Sequence, residues 1–200
     1  MQSYLFILLV GIPNIDMRVI AGKTKGHYLK FPKGTRTRPV TDLVRGAIFS
    51  ILENINNDWS QVLDLFSGSG ALGIEALSRN AGWADFVESE HRCCDIIKEN
   101  LEITGFSSQA RVYCCSVNKA LSFLDKEYNI ILMDPPYSDT TTGDVINRLA
   151  ESRLVGAATK LVVTHSSRSP LEQKYATLNL VKKHRHGDTC ISIFQKEVGS

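Results

Sequence analysis

Residues 134–137 read Asp134-Pro135-Pro136-Tyr137, directly after the apolar run Tyr128–Met133. These residue types can alkylate an exocyclic amine. The amino group of a nucleobase is a poor nucleophile, because its lone pair is delocalised into the ring. A carboxylate (Asp134) and an outward-held carbonyl (Pro135) can each accept a hydrogen bond from that amine, localising the lone pair and aiming it at an electrophilic methyl. Pro135 and Pro136 fix φ and remove N–H donors, so the turn offers acceptors only. Tyr137 supplies a flat face on which an extruded base can stack. Read alone, the tetrapeptide serves equally well as a tight turn closing a buried strand.

A second motif lies upstream. Gln61–Phe66 reads as a strand, Ser67-Gly68-Ser69-Gly70 as a turn and Ala71–Arg79 as a helix. Glycines let the backbone approach a ligand that the helix N-terminus faces. Gly68-x-Gly70-x-x-Gly73 satisfies the dinucleotide fingerprint, and Glu88, twenty residues beyond Gly68, can accept hydrogen bonds from two ribose hydroxyls. That fingerprint fits a nicotinamide dinucleotide and S-adenosylmethionine alike. Two features favour the latter. Asp64 is a charge inside an apolar strand, placed to meet the cationic amino-acid end of S-adenosylmethionine, with helix capping as its alternative role. The Asp134–Tyr137 turn follows a later strand, where an open α/β sheet offers its crevice, and hydride transfer has no use for an amine trap. Phe66 and Ser69 complete the expected cofactor wall.

The elements that must position these residues follow from periodicity. Strands are expected near 61–66, 83–88, 110–115, 128–134 and 158–164, and helices near 71–79, 91–104, 117–125 and 143–151. Such alternation implies a mostly parallel sheet covered on both faces. Leu178–Lys182 and Thr189–Gln195 add a C-terminal antiparallel hairpin. Upstream, Arg18–Ala21 and His27–Phe31 flank the turn Gly22–Gly26, Pro32–Val40 forms a basic loop, and Thr41 caps a helix through about Asn54. The chain then divides into an N-terminal extension (1–16), an arm of hairpin, loop and helix (17–57) and an α/β domain (58–198).

Net charge is only +2, yet Arg18 to Arg45 holds eight cations against the single acid Asp42. A basic face on a mildly acidic body is the footprint of phosphate binding, unless the arm is merely solvated. The five cysteines, Cys93, Cys94, Cys114, Cys115 and Cys190, match no metal-ligand or secreted-disulfide spacing. They imply ordinary buried thiols in a reducing cytoplasm, with no metal site. Tyr4–Val10 is apolar but too short to span a membrane, so residues 1–16 read as an upstream extension with Met17 as the functional start. His165 follows a strand and reads as a loop residue, either solvated or facing the acceptor, and His184-Arg185-His186 as a basic turn that either touches RNA or is a plain exposed hairpin tip.

Five segments resemble the bacterial RsmD-type methyltransferases, which modify guanine N2 in small-subunit (16S) ribosomal RNA. They are Met17–Lys23, Thr37-Arg38-Pro39-Val40-Thr41-Asp42, Leu63–Arg79, the Asp134–Tyr137 turn and His186-Gly187-Asp188-Thr189, and the resemblance runs from about Met17 to Lys196. It implies a Rossmann-like fold with a mostly parallel seven-stranded sheet, S-adenosyl-L-methionine as donor with S-adenosyl-L-homocysteine as product, and an rRNA guanine as acceptor. Asp134, Pro135, Pro136 and Tyr137 would be catalytic. Asp64, Phe66, Gly68, Ser69, Gly70, Glu88, Ser116 and Val117 would hold the cofactor. Lys23, Arg36, Arg38, Thr41 and Arg45 would contact RNA within the small subunit or an assembly intermediate, and the protein would act as a cytoplasmic monomer. Ser116 departs from the Asp or Asn that many such folds place after the third strand of the sheet to hold the adenine amine. Two alternatives remain at this point: an adenine-N6 methyltransferase acting on DNA or RNA, and a non-catalytic RNA-binding assembly factor.

Overall fold

The arm opens with β1 (Met17–Arg18) and β2 (Tyr28–Leu29), paired antiparallel. This computed structural model describes residues 17–32, 41–55, 58–137 and 139–197. The hairpin is shorter than the sequence implies: Val19 N still donates to His27 O at 3.0 Å, but the two amides after it have another partner. Ile20 N and Ala21 N donate to the buried Glu75 carboxylate at 2.7 and 3.0 Å. Residues 1–16 lie outside the described residues, as do Arg36 and Arg38. Helix α1 (Asp42–Asn54) starts where expected, with Thr41 Oγ1 accepting from Val44 N as N-cap.

Apolar runs build the sheet. Strands β3 (Gln61–Leu65), β4 (Trp83–Glu88), β5 (Ala110–Cys114), β6 (Tyr128–Met133) and β7 (Val155–Ser166) are parallel. Strands β8 (Lys174–Tyr175), β9 (Leu178–His186) and β10 (Thr189–Lys196) complete the order β5-β4-β3-β6-β7-β10-β9-β8, with β10 antiparallel to both neighbours. The seven expected strands are therefore present, and β8 adds a two-residue edge. Strand β7 runs longer than expected because a register irregularity lets Val155 pair with Tyr128, while Thr159 Oγ1 donates to Tyr128 O at 2.6 Å.

Alternate residues face opposite layers. Val62, Phe86, Ile130, Leu132, Val162 and Ile191 share one core with the arm, α1, α2 (Ala71–Ser78) and α3 (His91–Thr104). Leu63, Leu65, Ile131, Met133 and Val163 share the other with α4 (Val117–Ala120) and α5 (Thr142–Glu151). The helix expected over 117–125 stops at Ala120, where i→i−3 bonds such as Ser122 N to Lys119 O tighten the chain into turns.

Close packing of α2 on the sheet depends on one missing methyl. A Cβ at Gly73 would sit 2.3 Å from the ring of Phe86, which is fully buried on β4. Gly73→Ala is therefore expected to destabilise the protein by roughly 1–3 kcal/mol, read as a lower urea midpoint. An unchanged midpoint would show that the α2–β4 contact yields freely.

Candidate active site

Sheet order reverses between β3 and β6: the chain builds outward from β3 through β4 and β5, then returns to place β6 on the other flank. A crevice opens at the carboxyl ends of strands at such a switch point. The glycine loop after β3 and the Asp-Pro-Pro-Tyr turn after β6 both leave the sheet there, and Asp134 N donates to Leu65 O at 3.5 Å. This topology brings together two motifs seventy residues apart.

The loop is held from several sides. Phe66 leaves β3 with φ 58, a left-handed turn that a bulky residue adopts only under constraint. Ser67 Oγ donates to Asp64 O at 2.6 Å and accepts from Val87 N at 3.0 Å, pinning the loop to β4. Gly68 N donates to Glu88 Oε2 at 2.8 Å, and Ser89 N and Glu90 N donate to Glu88 Oε1. Ser89 Oγ also donates to Oε1 at 3.4 Å, so Glu88 orders the loop chiefly through Oε1, while Oε2 accepts from Gly68 N. Gly68 (φ 56) faces open space where its Cβ would be, and Gly70 (φ 78) is the left-handed N-cap of α2. Ser69 O accepts from Asn100 Nδ2 at 2.9 Å, and Asn100 also bonds Lys30 N and Lys30 O, so one buried amide fastens arm, α3 and loop together. On the far rim of the loop, Ser116 is exposed and caps α4 by accepting from Lys119 N, with Val117 buried behind it.

Asp64 does two things at once. Its Oδ2 accepts from Gly73 N at 2.9 Å, ordering the start of α2, while its buried Oδ1 has no partner. Burial pushes its carboxyl up to about 8; the Gly73 N–H pulls it down, and the neighbouring Asp134 and Glu88 carboxylates push it up further. A buried carboxyl kept protonated at neutral pH beside two more carboxyl groups is a site that a cation would ionise and pair.

Asp134 lies one strand over and two residues further on than Asp64's partner Leu132, on the same face of the sheet. Thr164, on β7, donates its hydroxyl to Asp134 Oδ1. That fixes the carboxylate and leaves Oδ2 to accept from something else. Burial pushes Asp134 up to about 6, opposed by the Thr164 bond. The Pro136 carbonyl accepts from Asp139 N at 2.7 Å, whereas no donor among the described residues reaches the buried Pro135 carbonyl. Tyr137 is 47% exposed, with its hydroxyl 2.9 Å from Thr189 Oγ1. A half-open ring beside two free acceptors suits a flat, amine-bearing acceptor.

The Thr164 bond carries a prediction. Thr164→Val removes a donor to the charged form of Asp134, so that carboxyl rises above about 6. The acidic limb of the pH–rate profile should then move upward by roughly one unit. An unmoved limb would mean that Thr164 only packs.

Of the expected RNA contacts, Arg45 is out of reach of solvent, and Lys23 and Thr41 stand at positions that also serve the fold. Arg45 is fully buried in α1, donating to Arg18 O and to Asp42 Oδ1 at 3.0 Å, so it fastens the arm and shows no charge to solvent. Lys23 is exposed, but its turn caps the C-terminal end of α2: Lys23 N donates to Ser78 O at 2.7 Å and Thr24 N to Ser78 Oγ at 3.1 Å. An orphan helix carbonyl needs such a donor, and the turn sits about 12 Å of helix away from the glycine loop. Thr41 spends its hydroxyl oxygen on the α1 cap. His165 is likewise no loop residue: it lies within β7, buried, with Nε2 2.9 Å from Ser192 Oγ, and burial lowers its pKa. Cys114 departs from the buried thiols expected, being exposed with its Sγ 2.6 Å from Cys94 Sγ. Among the described residues no helix is long and apolar enough to cross a membrane.

Sequence reasoning missed Thr164, Thr189 as a partner of Tyr137, and Asn100. Only Asn100 left a signal, as a polar residue at helical spacing from Cys93, Ile97 and Thr104 on the buried face of α3.

An open, mostly parallel sheet with this crevice, glycine loop and Asp-Pro-Pro-Tyr turn is that of a Rossmann-like methyltransferase. The model of the family described as conserved hypothetical protein 95 matches residues 17–195. The ribosomal RNA small subunit methyltransferase D of Escherichia coli K12 is 32% identical over 186 residues, covering 91% of each chain. YlbH of Bacillus subtilis is 33% identical over 183 residues, 90% of this chain and 99% of that one. The solved structure of yhhF from Escherichia coli superposes with a TM-score of 0.81 at 29% identity, over 92% of this chain and 99% of that one. The chain belongs to this family, the RsmD-type methyltransferases.

Proposed function

We propose that the protein transfers a methyl group from S-adenosylmethionine to the exocyclic N2 amine of a guanine in small-subunit ribosomal RNA. The observation that carries this reading is the divided Asp134 carboxylate, with Oδ1 held by Thr164 and Oδ2 left over beside the unbonded Pro135 carbonyl. The names of the curated relatives supply the RNA class. The residues present fit the donor: the partnerless Asp64 Oδ1 suits its ammonium, and the open space at Gly68 admits its close approach. S-adenosylmethionine would supply a methyl already activated on a sulfonium, so positioning provides most of the catalysis. Asp64 orients the amino-acid end, Glu88 the ribose, and Ser116 with Val117 borders the adenine. Asp134 Oδ2 and the Pro135 carbonyl accept from the target amine, and Tyr137 stacks on the base. The amine's surplus proton leaves through Asp134 or directly to water. The protein acts as a cytoplasmic monomer on the small subunit or its precursor.

The test is transfer of labelled methyl to small subunits lacking this modification, with nucleoside analysis of the product. Label in N2-methylguanosine supports the reading. Label in N6-methyladenosine keeps the chemistry and overturns the base. No label from protein shown to bind the donor overturns the activity on this acceptor.

A further inference from the structure

The last hairpin carries charge that no ion pair among the described residues uses, although Arg185 Nε donates to Gly187 O at 2.9 Å. Lys182, Lys183, His184 and Arg185 are exposed in succession on β9. None of the three cations takes part in an ion pair among the described residues. Arg168, exposed in the turn after β7, is likewise unpaired there, and Ser167 N donates to Asp188 O at 2.8 Å, joining that turn to the hairpin tip. Asp188 is the one acid of the tip.

Register ties this surface to the acceptor turn. Leu132 pairs with Val162, Val162 with Ile193 and Ile193 with Lys182. Two residues on, the row reads Asp134, Thr164, Ile191, His184. Lys182 and His184 therefore share the sheet face of Asp134, three strand spacings or about 14 Å away. Strand β9 also runs parallel to β7, so its end at His186 lies on the carboxyl rim. There His186 pairs with Thr189, whose hydroxyl meets that of Tyr137. Lys183 and Arg185 alternate onto the opposite face, so the cations line both sides of this edge strand and lead away from the stacking residue.

Beyond its pairing with β8, strand β9 is an open edge. A second copy could in principle add to it. Antiparallel self-pairing would set Lys182, Lys183 and Arg185 against like charges, which disfavours that occupant. A polyanion suits the same row. A base held against Tyr137 must also leave its strand running out of the crevice, and a row of unpaired cations starts at that exit.

We propose that Lys182, Lys183 and Arg185, with Arg168, bind the phosphates of the RNA strand flanking the target nucleotide. This rests on the reading of the protein as an RNA methyltransferase. The surface fixes where the strand lies, while Asp134 and the Pro135 carbonyl engage the amine.

The triple variant Lys182→Glu, Lys183→Glu, Arg185→Glu tests it, with the neutral pair Lys183→Gln, Arg185→Gln as the control for folding. Each is assayed for S-adenosylmethionine binding, for methyl transfer to unmodified small subunits, and for the salt dependence of binding to that substrate. The triple variant should bind the donor normally and raise KM for subunits by about tenfold or more, and its log–log salt slope should fall by about two. The neutral pair should fall between it and the wild type. Unchanged KM and slope in both variants, with active wild type, would overturn the inference and leave the proposed function standing. Variants that self-associate while KM stays unchanged would show that the charges only keep the edge unpaired, and would overturn it too. Inactive wild type on every RNA would instead overturn the function itself.

Discussion

Asp134→Ala is expected to bind S-adenosylmethionine at least as tightly as the wild type, since one push on the Asp64 carboxyl is removed, and to lose methyl transfer by about 10³-fold. The donor side of the crevice is built from β3, α2 and the end of β4, and none of those contacts passes through Asp134. Its Oδ1 is held by Thr164, and no donor among the described residues reaches its Oδ2. Removing it takes away one of two acceptors for the amine, and the lone pair stays delocalised. Asp134→Asn should retain more activity than the alanine variant. An amide can turn its NH₂ to Thr164, whose hydroxyl accepts as readily as it donates, leaving its oxygen for the amine. The two variants separate chemistry from scaffolding: equilibrium dialysis reads donor affinity, and single-turnover transfer reads the chemical step. Simultaneous loss of both in Asp134→Ala would make Asp134 a support for the β3–β6 junction. Equal activity in the two variants would mean that the amine finds its acceptors elsewhere.

The sheet was legible because its strands are unbroken apolar runs between glycine-marked turns, and both motifs follow such runs. Arg45 shows where a rule was misapplied. Arg45, Ile48, Phe49 and Leu52 stand at the i, i+3, i+4, i+7 spacing of one helix face, so the sequence already placed Arg45 with the core. A net-charge count is blind to that periodicity. Lys23 could not have been placed, since its turn is positioned by an orphan carbonyl on another element. Thr164 and Thr189 were beyond reach for a related reason. Their partners are set by cross-strand register, which local periodicity does not encode. Residue type and spacing mark candidate groups in a sequence, whereas partners set by cross-strand register leave no local trace.

Asp64→Asn should weaken donor binding and strengthen the fold. In the free protein the Asp64 carboxyl lies at about 8, raised first by burial and then by Asp134 and Glu88. The unfolded chain ionises near 3.9, so from about pH 4 to 8 the native state binds more protons than the unfolded one. The stability this group contributes is thus complete below about pH 4 and is lost as pH rises through about 8. An asparagine keeps an acceptor for Gly73 N–H and has no proton to lose. Its melting temperature should exceed the wild type's by at least about 2–4 °C at pH 8, and the gap should close toward pH 4. Donor affinity should move the other way, falling by about 10²-fold as the ammonium loses a charged partner. The wild type should also bind donor more tightly as pH rises toward about 8, by up to about tenfold per unit, releasing a proton on binding. The variant should show no such slope. Calorimetry in buffers of different ionisation enthalpy reads the proton directly. If Asp64→Asn binds donor as the wild type does, the carboxylate serves only to order α2, and the cation site must be sought at Glu88. If affinity and melting temperature fall together, the charge stabilises the fold in a way that the lone Oδ1 does not explain.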